Sequence, residues 1–352
     1  MQTTHRRRSE SIAWSRWPRL VSALAAIAAS LSLAGLAKER DPAIPVVDLS
    51  VDLVPWTTSG PPSLAGRNDQ AALVRLRQGN VTGIVLPLHE PRPGAPHDMT
   101  AETAYLDLDR WLAQPTAFRM PGCRGGADKI ATWLSLDGAS ELARDPARIA
   151  LWITRGVRIF GVVGATDNEL GTSWSDPPPG PVVGLSARGK EVVRRIYEQG
   201  GVVDVASASA STRDDVFAIA RSRHAPVVSV SSNARAMADD PRNLTDSELR
   251  DIAASGGVVA ASFDEARIVR GRTATLHDLV RQILYLKRVA GAEHVAIASG
   301  YEKTRPPDGL ETAANFPDLA RALLASGVSR GDVERIFHGN AVRVLCPESV
   351  KR

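Results

Sequence analysis

The sequence lacks the signatures of several common functional classes. Its only two cysteines, Cys123 and Cys346, are far apart, and no CxxC or zinc-finger spacing exists, so a cysteine-based metal site is excluded. No GxGxxG follows the first predicted strand, which leaves a dinucleotide site without support. No GxSxG elbow is present, so the many serines are poor candidates for a nucleophile. No internal repeat or low-complexity tract occurs, which argues against a solenoid.

The chain also lacks an excess of charge outside its N-terminus. The first 37 residues carry five Arg and one Glu, which accounts for the whole net charge of +4. The rest of the chain carries as many acidic as basic residues. The pI of about 9.3 therefore reflects the N-terminal segment, and nucleic-acid binding is not predicted.

No long apolar run follows the N-terminal segment, but one lies within it. Arginines precede an uncharged, Ala/Leu-rich run from Leu20 to Ala37, which ends in small residues. A basic start, an apolar middle and a small-residue end are typical of an export signal. The run is also long enough for an uncleaved membrane anchor. We predict that residues 1–37 are a signal peptide or anchor and that residues 38–352 are exported: periplasmic, extracellular or membrane-anchored.

An exported location leaves the state of the two cysteines open. In an oxidising compartment Cys123 and Cys346 could pair, whereas two lone cysteines so distant in sequence could equally stay free.

Eight short apolar runs alternate with helical patterns after residue 43. Strict alternation of this kind predicts a parallel sheet covered by helices. Eight units in about 300 residues favour a single-domain (β/α)8 TIM-like barrel over the alternative, an open doubly wound sheet. The runs begin near residues 44, 81, 130, 157, 202, 227, 258 and 294.

The stretch 226–259 is the most informative part of the chain. A Val-rich strand leads into a polar loop, then Thr245 or Asp246 caps a helix that Gly256 ends. In a barrel a functional site lies on the loop that follows a strand. The loop contains Ser232-Asn-Ala-Arg235 and Pro241-Arg-Asn-Leu-Thr-Asp246, and these motifs resemble the membrane (renal-type) dipeptidase family, peptidase M19. The resemblance extends over about residues 44–345.

The resemblance implies a two-zinc hydrolase of dipeptides, with imidazole and carboxylate ligands at the strand ends. Two carboxylates remain at such positions, Asp52 and Asp137, as residual metal positions. Four family ligand or catalytic positions are replaced, by Ser50, Ser207, Ser231 and Gly300. A neutral hydroxyl is a poor zinc ligand, so we expect no bound metal.

One further candidate follows from the resemblance, and the others follow from their positions in or after predicted strands. Arg242 corresponds to a family arginine that binds the substrate carboxylate, and its alternative role is an ion pair with Asp239, Asp240 or Asp246. His89 ends the second predicted strand, where it either rebuilds a metal site with Asp52 and Asp137 or lies in a surface loop. Three further acids follow strands and either hold Ca²⁺ or Mg²⁺ loosely or are solvated: Asp264, Glu265 and Glu302. We expect Asp204 to be a hydrogen-bonded core group.

These observations predict a catalytically inactive pseudo-dipeptidase that binds a small peptide or a protein partner. The alternative is an active metal-dependent dipeptidase with a rearranged site. Since members of the family often form dimers, a homodimer is the assembly that the resemblance implies. Contact with a membrane is expected only through an uncleaved N-terminal segment.

Overall fold

The structure is a computed structural model, and it describes residues 43–53, 70–90, 100–112, 117–120, 122–123, 129–175, 181 and 183–347. The predicted signal peptide or anchor at residues 1–37 lies outside these residues. No helix in the described ranges is long and apolar enough to cross a membrane.

Eight parallel strands close into a barrel. They follow one another around the ring in chain order, and β2 pairs with both β1 and β4 to complete the closure. A two-residue strand, β3, adds to the start of β4 and was not predicted. The strands are β1 (Val46–Asp48), β2 (Val81–His89), β3 (Phe118–Arg119), β4 (Ile130–Asp137), β5 (Val157–Gly161), β6 (Val202–Asp204), β7 (Val227–Ser229), β8 (Val258–Ser262) and β9 (Val295–Ala298). The (β/α)8 barrel prediction is confirmed.

Helices surround the barrel, and most of them begin at side-chain caps that the sequence supplies. Thr245 and Thr275 each form a capping box, with Glu248 and Asp278 respectively. The helices are α1 (Leu73–Gln78), α2 (Ala101–Leu112), α3 (Glu141–Arg144), α4 (Arg148–Thr154), α5 (Ala187–Glu198), α6 (Ala210–Arg223), α7 (Asp246–Ala254), α8 (Glu265–Ile268), α9 (Leu276–Ala290), α10 (Phe316–Ala325), α11 (Arg330–Glu334) and α12 (Asn340–Leu345).

The sequence from Glu141 to Arg155 predicts one helix that stops at Gly156, but the structure divides it in two. Asp145 takes an extended conformation between α3 and α4. Pro146 follows it, and proline disfavours the helical conformation in the residue before it. The short helix α3 therefore ends at Arg144, α4 begins only at Arg148, and the prediction of one continuous helix is wrong.

Two apolar layers hold the barrel together. The larger lies between the strands and the surrounding helices, with Trp152 and Phe316 among its fully buried side chains. The smaller fills the barrel itself and includes Trp133 together with small residues such as Ala260 and Ala296. Small side chains on facing strands leave room for the Trp133 ring, which is how a closed barrel reaches interior packing density.

A disulfide joins the two cysteines. Cys123, after β3, bonds to Cys346, just beyond α12, with their Cα atoms 5.6 Å apart. The indole Nε1 of Trp133 donates a hydrogen bond to Cys123 Sγ at 3.3 Å. The bridge closes most of the barrel sequence into one loop at the amino ends of the strands, and it decides between the paired and free states that the sequence left open.

Candidate functional site at the carboxyl ends of the strands

His89 lies between two carboxylates at the centre of the site. Its Nδ1 is 2.8 Å from Asp137 Oδ2, and its Nε2 is 2.8 Å from Asp52 Oδ2. His89 and Asp137 are register partners at the ends of β2 and β4. Asp52 follows the bridge between Val51 and Tyr301. Only 6% of the His89 side chain is exposed, so the interpretation as a surface-loop histidine is wrong.

Lys303 closes the site from the solvent side. Its Nζ lies 3.7 Å from Asp52 Oδ2, 3.8 Å from Asp137 Oδ2 and 3.5 Å from His89 Nδ1. The turn after β9 brings it there, with Gly300 and Glu302 at φ of 63° and 75°. Sequence analysis did not select Lys303. The only signal was a basic residue in the run that follows β9.

The two acids set the protonation state of His89. Burial opposes a charge on the ring, but the hydrogen bonds to Asp137 and Asp52 and their negative charges outweigh it and raise the pKa of His89. Burial also opposes ionisation of Asp137, yet His89 and Lys303 hold its pKa well below the ordinary range. The two acids therefore favour the imidazolium form of His89, and the Lys303 amine lies beside the same two acids.

The replaced positions lie around this cluster and supply hydroxyls or backbone. Ser207 Oγ donates to Asp137 Oδ1 at 3.4 Å, and Ser231 Oγ lies 3.0 Å from Ser262 Oγ. The Ser50 carbonyl accepts a hydrogen bond from Gly300 N at 2.8 Å. A Cβ at Gly300 would lie 2.9 Å from the Thr304 side chain, so the turn would have to change to carry a carboxylate there.

Arg242 forms the ion pair that the sequence offered as its alternative role. Its Nε and Nη2 donate to Asp240 at 2.9 and 2.8 Å, and Nη1 makes only a long, 3.5 Å contact with Asp264. The indole of Trp174 lies 4.7 Å from the guanidinium carbon. Burial opposes the charge, but Asp240 outweighs it and raises the pKa of Arg242. One edge of the guanidinium is thus held in place and the Nη1 side is less fully paired.

A second arginine, Arg267, reaches the same place, and sequence analysis missed it. It follows β8 on the short helix α8, and its Nη1 donates to the Ser231 carbonyl. Its Nε is 3.3 Å from Asp264 Oδ2 but is buried without hydrogen-bond geometry. Burial and the neighbouring Arg242 lower the pKa of Arg267 to about 10. Arg267 therefore presents a buried positive charge beside Ser231, one of the four replaced positions.

The other predicted acids are engaged within the protein. Asp204 Oδ1 accepts hydrogen bonds from Ala206 N and Val230 N, as expected of a core group, and burial raises its pKa to about 7. Asp264 caps α8 and pairs with both arginines. Glu265 pairs with Arg305, and Glu302 accepts a hydrogen bond from Ala71 N. Asp264 and Glu265 are part-buried in these ion pairs, whereas Glu302 is exposed, as expected of a solvated loop acid.

A closed barrel with its charged groups at and just beyond the carboxyl ends of its strands defines the class of (β/α)8 proteins that carry their site at this end. The family model for membrane dipeptidases (peptidase family M19) matches residues 41–352, and the chain belongs to that family.

Similar proteins are known by sequence and by structure. An uncharacterised Klebsiella pneumoniae protein encoded in the pqqA 5′ region is 30% identical over 270 residues, 72% of this chain and 97% of that protein. Dipeptidase ataJ of Aspergillus terreus is 26% identical, covering 78% and 76% of the two chains. Two crystal structures share the fold at 23% identity. They are the probable dipeptidase PvdM of Pseudomonas aeruginosa (TM-score 0.74; 86% and 94% covered) and a Rhodobacter sphaeroides metallopeptidase liganded with a phosphinate mimic of L-Ala-D-Ala (TM-score 0.73; 86% and 99% covered).

The side chains at the strand ends do not fit the family's pair of zinc ions. A zinc ligand must aim a lone pair at the ion, but both nitrogens of His89 are engaged with carboxylates. The two ring nitrogens point in divergent directions, so Asp52 and Asp137 cannot share one ion while both bonds persist. Lys303 adds a positive charge. Within the described ranges, no group of three or more His, Cys, Asp or Glu side chains is placed to hold a metal ion.

Proposed function

We propose that this chain is a metal-independent pseudo-dipeptidase that binds a small peptide at the carboxyl ends of its strands. The observation that carries the proposal is the His89 imidazole, with one ring nitrogen on each of the two remaining carboxylates. The imidazolium and Lys303 balance the charge of Asp52 and Asp137. Neither carboxylate then needs a divalent cation to be stable when buried.

The charges that remain available suit a zwitterionic ligand. Asp52 Oδ1 is buried and accepts no hydrogen bond from the residues that the structure describes, so it can accept one from a ligand ammonium group. Arg242 Nη1 is incompletely paired beside Trp174, and Arg267 adds positive charge next to it. A planar guanidinium is well suited to a carboxylate. The amino and carboxyl ends of a dipeptide therefore each find a group of opposite charge.

A thermal-shift experiment tests this binding mode. We expect the dipeptide L-Ala-D-Ala to raise the melting temperature of EDTA-treated protein, because a ligand that binds only the folded state stabilises it. Arg242→Ala should remove the shift. Arg235→Ala is the matched control, since Arg235 lies in the same loop but pairs with Asp239 away from the cluster. A shift that survives Arg242→Ala would remove Arg242 from the site.

A second candidate is an active metal-dependent dipeptidase with a rearranged site. The convergence of His89, Asp52 and Asp137 favours it, because these three side chains are the ones that such a site would use. For a metal to bind, His89 must leave at least one carboxylate and Lys303 must withdraw. Stoichiometric metal, with dipeptide hydrolysis that EDTA abolishes, would establish this candidate in place of the first.

We also propose that the protein is exported. The Cys123–Cys346 disulfide supports an oxidising compartment, which agrees with the signal-like character of residues 1–37. A homodimer and a membrane contact through the N-terminal segment stay predictions.

A further inference from the structure

A cavity of about 500 Å³ lies at the opposite end of the barrel, where β1, β2 and β4 begin. Val47, Val81 and Ile130 on these strands form part of its wall. The cavity is separate from the His89 site, which lies where β2 and β4 end. A volume of this size is in the range of sites that bind small molecules.

The polar side chains around this cavity are predominantly basic. Arg77 comes from the last turn of α1, Arg119 from β3, and Lys129 from the residue before β4. His338 lies on the π-helical turn Arg335–Gly339, and such turns occur frequently at functional sites. No Asp or Glu is among the described residues that line the cavity. The described part of the lining therefore carries positive charge with no acid of that lining to balance it.

The hydrogen bonding of Arg119 also indicates that the cavity suits an anion. Its Nε is buried and has no hydrogen-bond partner in the described part of the chain. A buried guanidinium nitrogen without a partner is costly, and an anion in the cavity would satisfy it. Arg119 is fixed by the pairing of β3 with β4, where it is the register partner of Ala131. The strand pairing thus places the Arg119 side chain at the cavity, with its buried Nε available as a donor.

The remaining wall of the cavity is apolar. It includes the Trp133 ring, Val342 and the Cys123–Cys346 disulfide. A cavity lined by both apolar and basic side chains matches a ligand that combines an apolar body with a negatively charged group. Inorganic phosphate alone would leave this apolar surface uncovered.

We propose that this cavity binds a small organic anion, with a phosphate or carboxylate group against Arg119, Arg77 and Lys129 and an apolar body against Trp133 and the disulfide. The site is independent of the proposed peptide site at the other end of the barrel.

Isothermal titration calorimetry of the full chain with phenyl phosphate tests the proposal. We expect saturable binding of one phenyl phosphate per chain, weakened by added salt, with weaker binding of inorganic phosphate and none of phenol. Arg119→Gln should weaken binding at least about tenfold, as expected for a lost charge-assisted hydrogen bond. Lys129→Gln, an exposed position, should weaken it as well and provides the test if Arg119→Gln does not fold.

Two controls separate this site from others. Arg188→Gln makes the same charge change on the exposed face of α5 and should leave binding unchanged. Arg242→Ala should also leave it unchanged, because Arg242 belongs to the other end of the barrel. The proposal is overturned if phenyl phosphate gives no saturable heat at millimolar concentration. It is also overturned if Arg242→Ala abolishes the binding, or if the Arg119 or Lys129 variant that folds binds as well as Arg188→Gln.

Discussion

The imidazole of His89 lies 2.8 Å from Asp137, its register partner on the neighbouring strand. Parallel strands in register place side chains from adjacent strand ends on the same side of the sheet, so the two residues meet without any contribution from a loop. The other ring nitrogen is bonded to Asp52, and a single histidine thereby links two acids that the family uses for metals. The two carboxylates therefore remain at the carboxyl ends of the strands, and the side chains of His89 and Lys303 contact them.

The first prediction concerns the stability of this cluster. His89→Ala leaves Asp52 and Asp137 buried without the cation between them. Breaking a buried ion pair typically costs 3–5 kcal/mol, and we expect about 3 kcal/mol here because Lys303 remains. Urea unfolding followed by circular dichroism measures the loss. His277→Ala, at an exposed position, should change stability little. Equal stability of the two variants would show that the His89 ion pairs contribute nothing.

The second prediction concerns the disulfide. The Cys123–Cys346 bridge spans 223 residues, so reducing it restores conformational freedom to most of the unfolded chain. We expect the double variant Cys123→Ser/Cys346→Ser to lose roughly 2–5 kcal/mol of unfolding free energy. Reducing agent should lower the melting temperature of the natural protein but not that of the variant. An unchanged melting temperature on complete reduction would contradict this role.

The third prediction concerns the pH dependence of stability. Burial raises the pKa of Asp204 to about 7, whereas the unfolded carboxyl titrates near about 3.9. The folded state therefore holds this proton more tightly. The contribution of this proton to the free energy of unfolding is fully present below about pH 4. It declines as pH rises towards 7, by at most about 1.4 kcal/mol per pH unit, and does not change further at higher pH.

Asp204→Asn isolates this contribution from other titrating groups, including Asp48, whose pKa burial also raises to about 7. The asparagine keeps an oxygen acceptor for Ala206 N and Val230 N but cannot ionise. Unfolding free energies measured between pH 4 and 8 should decline less steeply in the variant than in the natural protein. Parallel curves for the two proteins would contradict the raised pKa.

Much of the fold follows from local sequence patterns. The apolar runs at β1, β2 and β4–β9 are bounded by glycines and polar residues, and strand order in a barrel follows chain order. The boundaries were less predictable. The sequence predicts that the strands beginning at Val202 and Val227 reach Ala206 and Ser231, but they end earlier, at Asp204 and Ser229. Beyond these residues the backbone leaves the sheet and forms the loops of the site. Apolar residues continue past this point, so the apolar pattern alone does not predict where the strands end.

The site was predictable only in part. The positions of Asp52, Asp137 and His89 on one rim follow from strand ends, and they do meet. Whether the His89 imidazole binds a metal ion or bonds to the two acids depends on distances of a few ångströms between side chains on different strands. Sequence spacing does not give these distances. Lys303 and Arg267 enter from turns with their own conformations, including the positive φ at Gly300 and Glu302. Long side chains from such turns reach the rim only once the turn geometry is known.

The most direct test of the metal-independent site is the metal content of purified, extensively dialysed protein, measured by elemental mass spectrometry after incubation with excess zinc. We predict far less than one zinc ion retained per chain, because His89 and Lys303 already balance the charge of Asp52 and Asp137. Retention of one or two zinc ions per chain, accompanied by dipeptide hydrolysis that disappears with EDTA, would contradict the account.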